Sequence, residues 1–328
     1  RLQKLLIDEA GLNRVSFYGR NYEDTRRVYG LSSPSSAGEF YLVDNIGTQD
    51  ERILHLFSRR SVELSRFTKL QSKEITTPDG LTLEAFLSFP SAYDEVAKQP
   101  VPFVVMPHGG PWARDFAEFD ELSQFVNALG IGVIKINFRG SEGYGADFAE
   151  LGVGEWGKAM QDDLNTARDY LITNGYSSPE SICMVGWSYG GFASLMAAIR
   201  DGDKYKCVAS IAGVTDLSAI LRSRPSDEVL RRIGARSMYD HGAVREISPI
   251  EKVEQISIPV FLAHGTSDAI VPYEEHYVPI LKEMQKLSKD VSFVAFKWGD
   301  HSLSGTHDRQ VLYERLGLFL DEQLKPKF

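Results

Sequence analysis

One serine, one aspartate and one histidine of this 328-residue chain stand where acyl transfer to water would need them. Ser188 lies in "CMVGWSYGGFASLMAA" (183–198), an apolar strand run, a sharp turn and an apolar helix run. The G-x-S-x-G pattern from Gly186 to Gly190, with Gly191 following, is a nucleophile elbow. Small neighbours let the chain turn tightly enough to lift the hydroxyl clear of a sheet, beside the N-terminus of the next helix. A serine hydroxyl is a weak nucleophile until a base takes its proton, and the base must itself be oriented. In such folds the partners follow in the order serine, acid, histidine, each after a strand. "FLAHGTSDAIVP" delivers Asp268 and "FVAFKWGDHSL" delivers His301, both just beyond an apolar strand run.

The competitors fit less well. Asp300 adjoins His301 and reads as a solvated turn residue, since adjacent side chains rarely aim at each other. His307 falls at a helix start, His264 reads as a satisfied structural histidine, and His241 and His276 lack a strand-end context. Asp216, after "SIAGVT", is the runner-up acid. The oxyanion of a tetrahedral intermediate needs two preplaced donors. The backbone N–H of Tyr189 is one. The loop "VVMPHGGPWARD" supplies the other, with Gly110 the expected donor, because a glycine leaves the backbone open to substrate.

These loops require a scaffold of parallel strands. From residue 66 or so, "KEITTPDGLTLEAFLSFP" reads as a hairpin across Pro-Asp-Gly. Thereafter strands at 102–107, 132–138, 181–187, 206–213, 258–265 and 292–299 alternate with helices near 118–129, 157–175, 190 onward, 272–287 and 308–323. Such alternation implies a mostly parallel sheet covered on both faces. Residues 1–65 differ: "RRVYGLSS", "EFYLVDN" and "ERILHLFSR" are short alternating runs between Gly- and Ser-rich turns, the pattern of an antiparallel meander.

Composition narrows the partners. A formal charge of −9 argues against nucleic acid, which demands a basic face. No apolar run approaches the roughly 20 residues of a membrane span. Cys183 and Cys207, both inside apolar strand runs, read as two buried thiols; two cysteines are too few for a disulfide framework. No Cys/His cluster suggests a metal, and hydrolysis by this triad needs no cofactor. The opening "RLQKLLIDEAGL" has no methionine and no leader pattern, so a fragment of a longer protein is expected, with cytoplasm and periplasm both left open.

Taken together, "HGGPWARD", "NFRGSEGYG", "GEWGKAMQDDL", "GWSYGG", "HGTSDAIVP" and the late His301 resemble the prolyl oligopeptidase family of serine peptidases, closest to its acylaminoacyl-peptidase and bacterial dipeptidyl-peptidase-like branch. The likeness runs from about residue 65 to the end. It implies an α/β-hydrolase fold over 66–328, with Ser188 as nucleophile, Asp268 as orienting acid, His301 as base, and Tyr189 and Gly110 as the oxyanion hole. It implies that 1–65 is the end of a β-propeller, and that short peptides are the substrates. Tyr189 and Trp187, flanking the nucleophile, are expected substrate contacts. Arg114 either meets a substrate carboxylate or, the plainer reading, pairs with Asp115 or Asp120; Arg139 is expected to shape a loop. "GDHSL" carries Ser302 where relatives commonly have Gly. A carboxylesterase with the same triad is the alternative, and a non-catalytic hydrolase-fold binding protein a remote one. With most of a propeller absent, an apolar rim would be uncovered, which predicts self-association or weak, unselective activity.

Overall fold

The computed structural model describes residues 14–33, 36–58, 68, 70–94, 99–223, 226–234 and 244–324. Residues 1–13, the expected boundary at 65–66 and His241 lie outside them. The first four strands, β1 (Arg14–Arg20), β2 (Arg26–Ser33), β3 (Ser36–Asp44) and β4 (Arg52–Ser58), pair antiparallel in chain order. Their small core centres on Leu31, with Val15, Tyr29, Tyr41 and Ile53 around it.

The remaining strands form one eight-stranded sheet: β5 (Leu70–Thr76), β6 (Thr82–Ser88), β7 (Phe103–Val105), β8 (Gly132–Ile136), β9 (Ile182–Trp187), β10 (Val208–Ile211), β11 (Val260–Gly265) and β12 (Val291–Phe296). Their spatial order is β12-β11-β10-β9-β7-β8-β6-β5. β6 alone runs against the others, antiparallel to both β5 and β8, whereas every pair from β8 through β12 in that order is parallel. Among the described residues the helices are α1 (Glu121–Ala128), α2 (Ala146–Glu150), α3 (Ala159–Thr173), α4 (Tyr189–Arg200), α5 (Leu217–Ser223), α6 (Asp227–Ile233), α7 (Tyr273–Lys286) and α8 (Thr306–Leu324).

Strand periodicity explains why the central runs are apolar throughout. On β9, Ile182 and Met184 join the core beneath α3, α4 and α7, while Cys183 and Val185 join the one beneath α1 and α8. Both faces are therefore buried, and alternation of polar and apolar residues is lost. Each such side chain taken fully out of water is worth about 1.5–3 kcal/mol before entropy is charged against it. α1 opens with Asp120 accepting from Ser123 N at 2.6 Å, an N-cap. Among the described residues no helix is long and apolar enough to cross a membrane.

The two cysteines are a correction. Cys183 and Cys207 are joined in a disulfide rather than left as thiols. Parallel pairing sets Val208 opposite Met184, so the preceding residues face each other with Cα atoms 4.8 Å apart. The bridge closes a separation of 24 residues, which chain entropy makes worth about 3 kcal/mol. Replacing both cysteines by alanine is expected to lower unfolding stability by about that amount, read from the urea midpoint. Coincident midpoints would show that the bridge contributes nothing.

Candidate active site

β7, β9, β11 and β12 are mutually parallel, so the loops that leave them emerge at one edge of the sheet. That is the edge at which open α/β sheets build sites. His108–Gly110, Ser188, Asp268 and His301 all lie in those loops.

Ser188 has φ 59° and ψ −118°, a left-handed conformation that costs a non-glycine residue about 1–3 kcal/mol. Two close approaches hold it there. A Cβ on Gly186 would stand 2.1 Å from Gly190 O, and one on Gly190 would stand 2.2 Å from Pro107 O. The first glycine lets α4 fold back against β9, and the second lets the HGG loop lie across the helix start. Ser188 N donates to Ile211 O at 2.9 Å, fixing the elbow to β10.

Asp268 and His301 meet. His301 Nδ1 lies 2.7 Å from Asp268 Oδ2, while Asp268 Oδ1 accepts from Ile270 N and Val271 N, each at 2.8 Å. His264 Nε2 donates to Val271 O at 2.8 Å and also stands 3.2 Å from Asp268 Oδ2. Burial alone would push the Asp268 carboxyl up. The hydrogen bonds from His264, His301 and the Val271 N–H outweigh it and hold the group well below the usual carboxylate range. The carboxylate is ionised and its acceptors are spent on orientation. Ser188 Oγ makes no hydrogen bond to the His301 ring among the described residues; the nucleophile–base contact is often loose in the absence of substrate. Instead Trp187 Nε1 donates to His301 O at 2.8 Å, joining the elbow to the histidine loop.

The HGG loop is braced by His108. Its Nδ1 is 2.8 Å from Gly109 O, and its Nε2 is 2.9 Å from Ser141 Oγ. Burial lowers the imidazole below its ordinary value, so the ring is neutral. A carbonyl can only accept, so Nδ1 carries the proton. The Gly109–Gly110 peptide is planar and trans, so its N–H points away from His108. Gly109 lies against the nucleophile, a Cβ added there falling 3.5 Å from Ser188 Cβ. Gly110 has φ 115° and precedes a cis Pro111.

A cleft of about 360 Å³ opens beside this centre, lined by His108, Gly109, Lys135, Trp187, His301 and Arg309 among others. A larger one of about 530 Å³, near Pro100–Pro102 and Lys206, sits at the opposite ends of the strands and holds none of these groups.

Comparison with known proteins gives the arrangement a lineage. The prolyl oligopeptidase family model matches residues 117–327. The chain belongs to the prolyl oligopeptidase family. Within that family it is 30% identical over 311 residues to dipeptidyl aminopeptidase BIII of Pseudoxanthomonas mexicana, covering 91% of this chain and 44% of that one. It is 27% identical over 213 residues to the acylamino-acid-releasing enzyme of Arabidopsis thaliana, covering 62% and 28%. A puromycin-hydrolysing peptidase of Mycobacterium tuberculosis superposes with a TM-score of 0.85 at 21% identity, over 97% of this chain and 49% of that one. The acylaminoacyl peptidase of Pyrococcus horikoshii does so at 0.79 and 22%, over 95% and 50%. The α/β-hydrolase fold is thus established, and the chain spans less than half the length of these curated relatives.

Two residues named as substrate contacts have partners within the protein. The Tyr189 ring, 2% exposed, points into the core among Phe138, Trp156 and Phe192, because the first turn of α4 faces inward. The Arg114 guanidinium is engaged, although not by Asp115 or Asp120 side chains. It donates to Glu84 Oε2 at 2.6 Å and to Tyr144 OH at 2.9 Å, stacked between the Phe116 and Tyr144 rings. Asp115 and Asp120 are paired with Lys135 instead, at 3.2 and 3.3 Å. Trp187 does line the cleft.

The rival residues have other occupations. Asp216 Oδ1 accepts from Ser218 N at 2.8 Å and its other oxygen faces Arg222. Asp300 accepts from Ser304 N and Oγ, and His307 is exposed at the start of α8. His276 is fully buried, which lowers it to about 3, and its Nδ1 accepts from Thr215 N and Asp216 N. Arg139 binds Asp163 and Asp79 and so shapes its loop. Sequence reading passed over His108 as a brace and Arg309 altogether; the HGGP motif carried the signal for the first, and nothing local did for the second.

Proposed function

We propose that this chain is the catalytic part of a serine peptidase acting on short peptides, with Ser188, His301 and Asp268 as its triad. The observation that carries this reading is the 2.7 Å Asp268–His301 hydrogen bond at the sheet edge where the left-handed Ser188 elbow emerges. In this reading His301 Nε2 takes the Ser188 proton as Oγ attacks the scissile carbonyl carbon. The carbonyl π pair moves to oxygen, where the N–H groups of Tyr189 and Gly110 receive it. Collapse of the intermediate breaks the C–N bond, His301 gives its proton to the departing amine, and an acyl-enzyme remains. Water then repeats the sequence, freeing the acid and the Ser188 hydroxyl. Asp268 keeps the proton on Nδ1 throughout, so that Nε2 is the basic nitrogen. Losing one oxyanion donor costs about 3 kcal/mol of barrier, on the order of a hundredfold in rate.

The relatives' names, dipeptidyl aminopeptidase and acylamino-acid-releasing enzyme, support a peptide substrate. The antiparallel β1–β4 unit supports a propeller blade. It is a meander in strict chain order, and it leaves Phe17, Tyr18, Leu54, Leu56 and Phe57 exposed, as a blade without its neighbours would. Those uncovered side chains also favour self-association.

Ser188→Ala is expected to remain folded and to lose all covalent labelling by a fluorophosphonate probe, read by gel fluorescence or intact mass. Labelling at the wild-type rate would refute the nucleophile. Comparing peptide anilides, acyl-amino-acid amides and short-chain esters tests the substrate class, and turnover of esters alone would replace the peptidase reading with an esterase.

A further inference from the structure

We propose that Trp187 and Arg309 are positioning residues that together fix the backbone of the His301 loop, and with it the reach of the imidazole toward Ser188; this rests on the triad reading above. Three successive carbonyls of that loop are gripped by two side chains. Trp187 Nε1 donates to His301 O at 2.8 Å, Arg309 Nη2 to Ser302 O at 2.9 Å and Arg309 Nε to Leu303 O at 3.0 Å. The two side chains are themselves in register, since the Arg309 guanidinium sits 5.3 Å from the Trp187 ring centroid. Its remaining nitrogen donates to Glu121 Oε2 and Tyr313 OH, each at 3.2 Å, which anchors the clamp to α1 and α8.

The loop requires holding. Upstream it is tied to the acid loop, with Ser267 N donating to Gly299 O and Trp298 N to Thr266 Oγ1. Downstream, Leu303 takes φ 46°, a left-handed conformation unfavourable for its side chain. The carbonyls released by that turn have no strand or helix to pair with, and the clamp takes them up. Trp187 is the residue before the nucleophile, so its indole fixes the distance between the base's backbone and Ser188 across a single side chain. Misplacing a reacting group by about 1 Å costs roughly a hundredfold in rate. Neither residue hydrogen-bonds the His301 ring, so each acts through the backbone.

The test uses the intact protein and a fluorophosphonate probe, with kinact and KI measured separately. Trp187→Phe keeps the ring packing and removes the N–H, and Arg309→Lys keeps the charge but cannot span two carbonyls. Each is expected to lower kinact roughly 10- to 100-fold with KI held within about threefold. The double variant should be little worse than the poorer single, because both serve one loop. Methylguanidine should restore part of kinact to Arg309→Ala. Wild-type kinact in Trp187→Phe, a raised KI with unchanged kinact, or fully additive losses would overturn the clamp. If the Arg309 variants do not fold, Trp187→Phe decides alone. Ser188→Ala separates the two readings. Retained labelling there removes the nucleophile itself, whereas an inert Ser188→Ala beside a fully active Trp187→Phe removes only the clamp.

Discussion

Replacing Asp268 by asparagine is expected to lower kcat about ten-thousandfold while the chain stays folded. Asparagine preserves size and one acceptor, which can still take the Ile270 and Val271 N–H groups at the Oδ1 position. Its NH2 group then faces His301 Nδ1, where the carboxylate oxygen had accepted at 2.7 Å. Two donors cannot share that contact, so the imidazole moves its proton to Nε2, and the nitrogen that should receive the Ser188 proton is already occupied. Steady-state kinetics beside a circular-dichroism spectrum would check this, and a loss under about tenfold would show that Asp268 does not set the tautomer. The same residue gives a pH signature. Its carboxyl is depressed in the folded chain, so its contribution to stability is complete above the unfolded-state value of about 4 and fades as pH falls toward the folded-state value. The stability difference between wild type and Asp268→Asn should therefore shrink on acidification below about pH 4.

What could be read from the sequence follows from how locally each feature is encoded. The elbow is five consecutive residues, and its glycines are demanded by contacts with Gly190 O and Pro107 O that any such turn makes. Strands buried on both faces show as unbroken apolar runs, so β7, β9, β10 and β11 were visible, and with them the loops that carry Ser188 and Asp268. The acid and base needed only the chain order of strand ends. Features set by register or helix phase were not visible. Whether Cys183 meets Cys207 depends on which strand neighbours β9 and in what register. Arg114, in the loop after β7, found Glu84, 30 residues away on β6, because only β8 separates those two strands in the sheet. The Tyr189 ring could face pocket or core until the rotation of α4 was known, and its N–H and ring answer to different constraints. Arg309 reaches the histidine loop from one turn into α8, a contact that no spacing announces.

Gly186→Ala is expected to destabilise the chain by at least about 3 kcal/mol and to abolish labelling, a larger structural effect than any loss at the triad itself. The added methyl would sit 2.1 Å from Gly190 O and 2.2 Å from its carbonyl carbon. Both are backbone atoms, so no rotamer change relieves the overlap; α4 would have to lift away from β9. Lifting α4 also carries Gly190 off Pro107 O and opens the packing of Phe192, Leu195 and Met196 against the core. The elbow, the HGG loop and the helix are thus coupled through one missing methyl group. Ser188→Ala is the matching control, since it removes chemistry without adding an atom. Urea midpoints should separate the pair, with Ser188→Ala near wild type and Gly186→Ala far below it. Equal midpoints would mean that α4 can retreat from β9 at little cost, and the left-handed serine would then owe its conformation to the loops that cross it rather than to the strand–helix contact beneath.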